Sequence, residues 1–297
     1  MHTSPPISVA QSRDDAVRMV AAQARLYADV KTAQWLRLAG VVALGVTVCG
    51  VSLVAGGEGA LGWVGGGLLL FTTVLLAYHE RNRVETAVSV QETFDCEVFG
   101  LDWNDVVVRR RPTGQEIAKA AALYKGSRHR NWYPDTGTVQ RPLDIAICQQ
   151  SNVGWGAPVH RAWAWTVLGV STLVAASLVV AWWVAGLSAG EGAGAFIAPF
   201  LPLTREGFEV VRQHFVSASE KEDTQRLILD DWYNAIAGNG TLTVARCRAF
   251  QDAIACMRKR NAQVPDWFDG RLQSRNERAM RTTATDMIAE AQRAGLA

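Results

Sequence analysis

The stretch Trp163-Ala-Trp-Thr-Val-Leu-Gly-Val-Ser-Thr-Leu-Val-Ala-Ala-Ser-Leu-Val-Val-Ala-Trp-Trp-Val-Ala-Gly-Leu187 decides the architecture. It lies in a run of twenty-nine residues without a charge, between Arg161 and Glu191. A helix needs roughly 20 apolar residues to cross a hydrocarbon core of about 30 Å. Trp163 and Trp182 stand nineteen residues apart, which is ~28 Å at the helical rise of ~1.5 Å per residue. Trp163 with Trp165, and Trp182 with Trp183, therefore fall where a crossing helix places its aromatic belts. A soluble helix of this length keeps a polar stripe toward water, and none is present.

Two similar runs lie upstream. Twenty uncharged residues separate Arg37 from Glu58, and twenty more separate Glu58 from His79. They predict spans over Leu38–Ala55 and Gly59–Tyr78, joined at Gly56-Gly57-Glu58-Gly59 as a helical hairpin. Beyond the turn Ser188–Gly192 comes a weaker stretch, Ala193–Leu203, with Pro199 and Pro202. Its length alone also fits a re-entrant segment. Charge favours a full crossing, with the re-entrant reading left open. Of the thirty Lys and Arg, five lie in 1–37, eleven in 79–161 and fourteen in 205–297, and the two hairpin loops hold none. Basic segments stay in the cytoplasm, so the chain crosses an even number of times. The fourth stretch must then continue helically through Phe208 or Val211, with Arg205 and Glu206 near the inner interface or inside a bundle.

The expected architecture is an all-α membrane protein of two transmembrane helical hairpins, with a mainly helical cytoplasmic domain built from the middle and C-terminal segments. Its parts are an N-terminal amphipathic helix over 1–34, hairpin one over 35–78, a cytoplasmic segment over 79–161, hairpin two over 162–211, and C-terminal cytoplasmic helices over 212–297. Both termini are expected in the cytoplasm of a bacterial cell, with the protein multi-pass in the inner membrane. The charged helix at Ser12–Lys31 does not read as a signal peptide. An average of 49% hydrophobic and 20% charged residues with a net charge of +2 hides this partition, and the apolar content excludes a disordered chain.

The first three spans carry no ionisable group, which argues against a pump or selective ion pathway. Gly62 and Gly66 form a GxxxG pair, expected at an oligomer interface because it permits close helix contact; glycine is also simply common in membrane helices. Within the cytoplasmic parts, Ser12 with Asp15 resembles a capping box for the first helix. Thr113 with Glu116 resembles another, for a helix from about Gly114 to Tyr124. Val106-Val-Val108 reads as a short strand or a core plug. Pro142–Asn152 reads as helical, 205–297 as three helices with a break at Gly238 and Gly240 and a turn at Val264–Phe268.

The five cysteines show no CxxC or CxH spacing, so neither a zinc site nor a disulfide framework is indicated. The five histidines have no partner at ligand spacing, and no nucleophile elbow, HExxH, P-loop or dinucleotide fingerprint occurs. No catalytic residue, metal or cofactor is expected, and the protein does not read as an enzyme. The most informative polar patch is Arg109–Tyr133, with Arg109, Arg110, Arg111, Lys119, Lys125, Arg128 and Arg130 beside Trp132 and Tyr133, and Glu116 as its single acid. Arginine forks match phosphate oxygens, and Trp and Tyr faces stack nucleobases. Gln149 and Asn152, just before the third span, are candidates to read base edges. Two other readings of the basic stretch remain open, contact with anionic lipid and a topology signal.

Several short motifs carry a resemblance. They are Gln91-Glu-Thr-Phe-Asp-Cys-Glu-Val-Phe-Gly-Leu-Asp-Trp-Asn104, Asn131-Trp-Tyr-Pro134, Cys148-Gln-Gln-Ser-Asn-Val-Gly-Trp155, Phe250-Gln-Asp-Ala-Ile254 and Val264-Pro-Asp-Trp-Phe268. With the hairpin–soluble–hairpin–soluble order, the chain resembles the SMODS-associated four-transmembrane effectors, pore-forming proteins of bacterial cyclic-oligonucleotide-based antiphage signalling (CBASS). The resemblance implies an antiphage effector activated by a cyclic oligonucleotide second messenger, which permeabilises the inner membrane and causes abortive infection. It implies as partners the messenger, the lipid bilayer and further copies of the chain, with no DNA or RNA polymer. It supplies no ligand residues. Those proposed from the residues themselves are Arg109, Arg110, Arg111, Arg128, Arg130, Trp132, Tyr133, Gln149 and Asn152. The alternative is a membrane-anchored scaffold or enzyme without nucleotide gating.

Overall fold

The computed structural model describes residues 4–54, 59–126, 130–261 and 263–297. The fold is all-helical, with no strand among the described residues. In chain order the helices are α1 (Ile7–Ala10), α2 (Asp14–Val54), α3 (Gly59–Phe99), α4 (Gly114–Ala122), α5 (Leu143–Ala185), α6 (Ala189–Gly192), α7 (Leu201–Ile236), α8 (Val244–Arg260) and α9 (Asp266–Arg293). A π turn over Ala193–Ile197 and a 3₁₀ turn over Ala198–Phe200 lead into α7. The chain divides into two units. The first holds Met1–Ala28, Val84–Arg161 and Val216–Ala297, and the second Asp29–Arg83 and Ala162–Phe215. Helices α2, α3, α5 and α7 each give part of their length to both units.

The first unit owns a conventional core. Phe94, Phe99, Ile145, Ile147, Ile228 and Trp232 are fully buried and belong to one cluster with Phe250, Ile254 and Met287. Each such side chain contributes about 1.5–3 kcal/mol through removal from water. The indole of Trp232 donates to Glu290 at 2.8 Å, satisfying its one donor. Local signals set the boundaries. Thr113 accepts from the Glu116 amide and Glu116 reaches back, the reciprocal cap expected for α4, although that helix stops at Ala122 rather than Tyr124. Gly100 (φ +68°) and Gly238 (φ +71°) supply the left-handed residues just after α3 and α7.

Four local expectations change. The Ser12 hydroxyl donates to the Ser8 carbonyl, so no reciprocal box opens α2. Val106–Val108 is a turn, not a strand, with Val106 exposed and Val108 buried as the plug. Pro265 precedes α9, so Trp267 and Phe268 already belong to its first turn. The helix before the third apolar stretch does not end at Asn152; α5 continues through Pro158 to Ala185.

The second unit is built differently. Leu36, Val54, Val64, Leu68, Phe71, Leu173, Trp183, Val184 and Phe208 are all more than 60% exposed. Two helical stretches, Asp14–Val51 and Leu143–Ala185, are long and apolar enough to cross a membrane, and Trp63–Thr72 is a shorter apolar stretch. The irregular segment 193–200 is held by glycine. A Cβ on Gly66 would sit 2.1 Å from the Ala198 carbonyl oxygen, and one on Gly45 would sit 3.1 Å from the Pro199 oxygen. Gly66, read as part of an oligomer contact, thus makes its close approach within its own chain; Gly62 lies one turn earlier in α3. Arg37 donates through Nε to Glu80 at 2.9 Å and through Nη1 to Glu206, tying α2, α3 and α7 with side chains that are almost entirely buried. Glu206 is therefore inside this bundle, while Arg205 stays half-exposed and pairs with it at 3.3 Å.

Candidate functional site

In the first unit, α3 presents Glu92 and Asp95 three residues apart on one face, and α8 presents Arg248, Gln251, Asp252 and Arg258 on the facing one. Glu92 and Asp95 are essentially fully buried. Arg248 donates to Glu92 at 2.6 Å, and Arg258 donates to Asp95 at 2.5 Å. Gln251 Nε2 donates to both carboxylates, at 2.9 and 2.8 Å. Two acids and two guanidiniums balance, and the amide bridges them. Arg248 also donates to the Asp102 carbonyl at 3.0 Å and meets Asp252 at 2.7 Å, and Asn104 donates to Asp252 at 2.9 Å.

The network continues into residues singled out by sequence. The Tyr133 hydroxyl donates to Asp95 at 2.6 Å and accepts from Asn152 at 3.3 Å. The Tyr133 backbone exchanges two hydrogen bonds with the Gln11 amide, at 2.8 and 3.1 Å. Gln149 donates to the Cys247 carbonyl at 2.8 Å and to Gln251 at 3.2 Å. Four of the five quoted motifs, those at 91–104, 131–134, 148–155 and 250–254, thus converge on one buried polar cluster.

Burial dominates the titration here. It pushes the Glu92 carboxyl up, with the neighbouring Asp95 charge adding to it and the arginines opposing it. Burial raises the Tyr133 hydroxyl well above its ordinary value, and Asp95 raises it further. The Cys96 thiol is pushed up to about 12 by burial and by Glu92, so it is no nucleophile near neutral pH. Burial works against the charge on Arg258, yet Asp95, Tyr133, Tyr27 and Glu92 hold its proton more tightly than usual. The cluster is a buried polar core of paired charges, with the chemistry of a structural clamp.

The sequence-predicted ligand residues divide by depth. Arg109, Arg110, Arg111 and Arg130 are exposed, as are Lys119 and Lys125. Arg110 pairs with Glu116 at the start of α4. The Arg111 guanidinium lies over the Trp103 ring, 5.0 Å from its centroid. Trp132 is 38% exposed. Arg128 lies outside the described residues. Tyr133 and Gln149 are core residues held by protein partners, Gln149 through its Nε2, and Asn152 is half-buried against Tyr133. Among the described residues, the surface part of the patch is therefore Arg109, Arg110, Arg111, Arg130 and Trp132, with Tyr133, Gln149 and Asn152 more deeply buried.

The sequence reading did not find Glu92, Asp95, Arg248, Gln251 or Arg258 as partners, nor Trp103 as the platform for Arg111. One signal was available. Glu92 and Asp95 share a helix face, and Arg248, Gln251 and Asp252 recur at helical spacing on another.

An all-helical fold with two membrane-length apolar helices and apolar side chains exposed along one unit is that of a helical membrane protein. Residues 5–287 match the model of the SMODS-associating 4TM effector domain, and the chain belongs to that family. It is also similar to a protein of Bacillus cereus (strain VD146) described as a probable CBASS effector molecule. The two are 22% identical over 215 residues, covering 70% of this chain and 72% of the relative. No solved structure matches the chain.

Proposed function

We propose that this chain is a bacterial antiphage effector of the inner membrane. A cyclic oligonucleotide binds its cytoplasmic segments, and the membrane helices then permeabilise or disrupt the bilayer, aborting the infection. The observation that carries the reading is the contrast between the units: apolar side chains exposed along the second, and on the first an exposed basic and aromatic group of Arg109, Arg110, Arg111, Arg130 and Trp132. Family membership and the description of the Bacillus relative support it. In this reading the hairpins are 35–78 and 162–211, the chain crosses four times, and 1–34, 79–161 and 212–297 are cytoplasmic.

The switch rests on Arg109, Arg110, Arg111, Arg128 and Arg130 as phosphate donors and Trp132 as a stacking face. Tyr133, Gln149 and Asn152 form the layer below. Gln149 and Asn152 lie on α5, which runs unbroken from Leu143 to Ala185. Ligand contacts that favour one arrangement of 144–161 bias the helix that continues from it. Moving a two-state equilibrium from 1:99 to 99:1 takes ~5.5 kcal/mol of differential affinity. Two or three charge-assisted hydrogen bonds, at roughly 1.5–3 kcal/mol each, supply it. Four helices without a polar stripe cannot line a wide aqueous path, so the active form is a homo-oligomer. No catalysis is required.

The test is binding of purified protein to a panel of cyclic di- and trinucleotides, alongside the variant Arg128→Glu with Arg130→Glu. The variant is expected to insert in membranes but to lose messenger binding. Undiminished binding by the variant overturns the residue assignment, and absence of binding to every ring by the parent overturns the gating.

A further inference from the structure

We infer that the cleft between Trp103, Arg111 and Glu97 is a nucleobase pocket that selects guanine, an inference that rests on the cyclic-oligonucleotide reading above and specifies it. The cleft measures about 230 Å³. That is below the ~300–1,000 Å³ of pockets that engulf a whole drug-sized ligand, and it suits one base of a ring whose remainder stays outside. Its lining is local to one motif. Thr93, Cys96, Glu97, Leu101 and Trp103 all come from the end of α3 and the loop after it, and Arg111 is added from the basic turn.

Each part has a distinct chemical use. The floor is the buried pair Cys96 and Leu101. It is fixed from behind, because Arg248 donates to both the Cys96 sulfur and the Asp102 carbonyl. The wall is the Trp103 ring with the Arg111 guanidinium stacked on it at 5.0 Å. Stacking on the indole orients Arg111 in advance, leaving its edge donors for a phosphate and its outer face for a base. The rim is Glu97, an exposed carboxylate that Arg13 meets at 3.7 Å and that also lies in the field of Arg111.

A carboxylate has only acceptors. Guanine offers it two adjacent donors, N1–H and N2–H, in the fork geometry that a carboxylate matches. Adenine and cytosine present one donor beside a ring-nitrogen acceptor, and uracil one donor between two carbonyls. The carboxylate therefore gains one further charge-assisted hydrogen bond with guanine and meets a repulsive lone pair with the others. That difference corresponds to about tenfold or more in affinity.

The experiment uses the full chain in detergent or nanodiscs with four probes of equal ring size: cyclic di-GMP, cyclic GMP–AMP, cyclic di-AMP and cyclic di-UMP. The parent is expected to bind a guanine-bearing ring at least tenfold tighter than either guanine-free ring. Glu97→Gln, which turns one acceptor into a donor at an exposed position, is expected to shrink that preference to threefold or less, weakening guanine-bearing rings and strengthening guanine-free ones. Trp103→Ala is expected to weaken all rings together. A parent that binds a guanine-free ring as tightly overturns the pocket assignment, as does a Glu97→Gln variant that keeps the full preference. A parent that binds no ring overturns the gating reading itself, and this inference with it.

Discussion

Replacing Asp95 with alanine tests the clamp where it is most exposed to failure. The Asp95 carboxylate is fully buried and accepts three hydrogen bonds, from Tyr133, Gln251 and Arg258. Its removal leaves Arg258 facing Glu92 alone at 3.8 Å, and leaves the Tyr133 hydroxyl without its acceptor. Breaking a buried pair from one side costs about 3–5 kcal/mol, because the stranded charge keeps its desolvation penalty. Asp252→Ala, at the quarter-exposed rim, is expected to cost about 1 kcal/mol or less. Hydrogen exchange on purified protein reads the difference locally. Amides of the C-terminal third of α3 and of α8 in the Asp95→Ala variant are expected to exchange more than a hundredfold faster, the factor corresponding to about 3 kcal/mol. Asp95→Leu combined with Arg258→Met is expected to recover most of the protection, since an apolar pair of similar volume carries no stranded charge. Protection in Asp95→Ala within tenfold of the parent would refute the clamp.

The remaining predictions address other parts of the chain. Burial, with Arg258 adding to it and Glu220 opposing it, lowers the Lys221 ammonium to about 8, so between about pH 8 and 10.5 the unfolded chain binds more protons and stability rises with pH. Lys221→Met is therefore expected to stabilise the first unit by about 1–3 kcal/mol at pH 7, an advantage that fades toward pH 10; chemical unfolding at both pH values checks it, and an equal difference at both would contradict the burial argument. Arg37→Met strands Glu80 and Glu206 and is expected to lower the melting temperature in detergent by several degrees, with a cost of about 3–5 kcal/mol; an unchanged melting curve would dismiss the tie between α2, α3 and α7. A cytoplasmic reporter fused after Ala297 is expected to be active, and periplasmic activity there would leave an odd number of crossings.

What the sequence disclosed was mostly what helical periodicity and charge can carry. The apolar runs ending at Tyr78 and Leu187 are written in consecutive residues, as are the Thr113–Glu116 cap and the stops at Gly100 and Gly238. Helix continuity was less legible: Pro142–Asn152 and the third apolar stretch read as separate segments, yet α5 runs through both with Pro158 in its interior. The Ser12–Asp15 pair has the spacing of a cap, but Ser8 offers a nearer acceptor. Contacts between distant segments were not legible. Glu92 and Arg248 are separated by 156 residues and Asp95 and Arg258 by 163, and no local pattern pairs one helix face with another. For the same reason the sequence does not say whether Tyr133 stacks on a ligand or packs in the core. Its neighbours Asn131 and Trp132 are exposed, and only the position of α3 shows that its hydroxyl reaches Asp95. The Arg111–Trp103 stack joins a basic turn to the end of a different motif, so composition could flag the arginine without its platform.

The central claim, a membrane effector switched by a cyclic oligonucleotide, is tested most directly by reconstituting the purified full chain into dye-loaded vesicles of bacterial lipid composition and adding cyclic di- and trinucleotides one at a time. Dye release on addition of at least one ring, absent without it and lost in the Arg128→Glu with Arg130→Glu variant, is the predicted result. Release that ignores every ring, or a bilayer that stays sealed with a ring bound, would contradict the account.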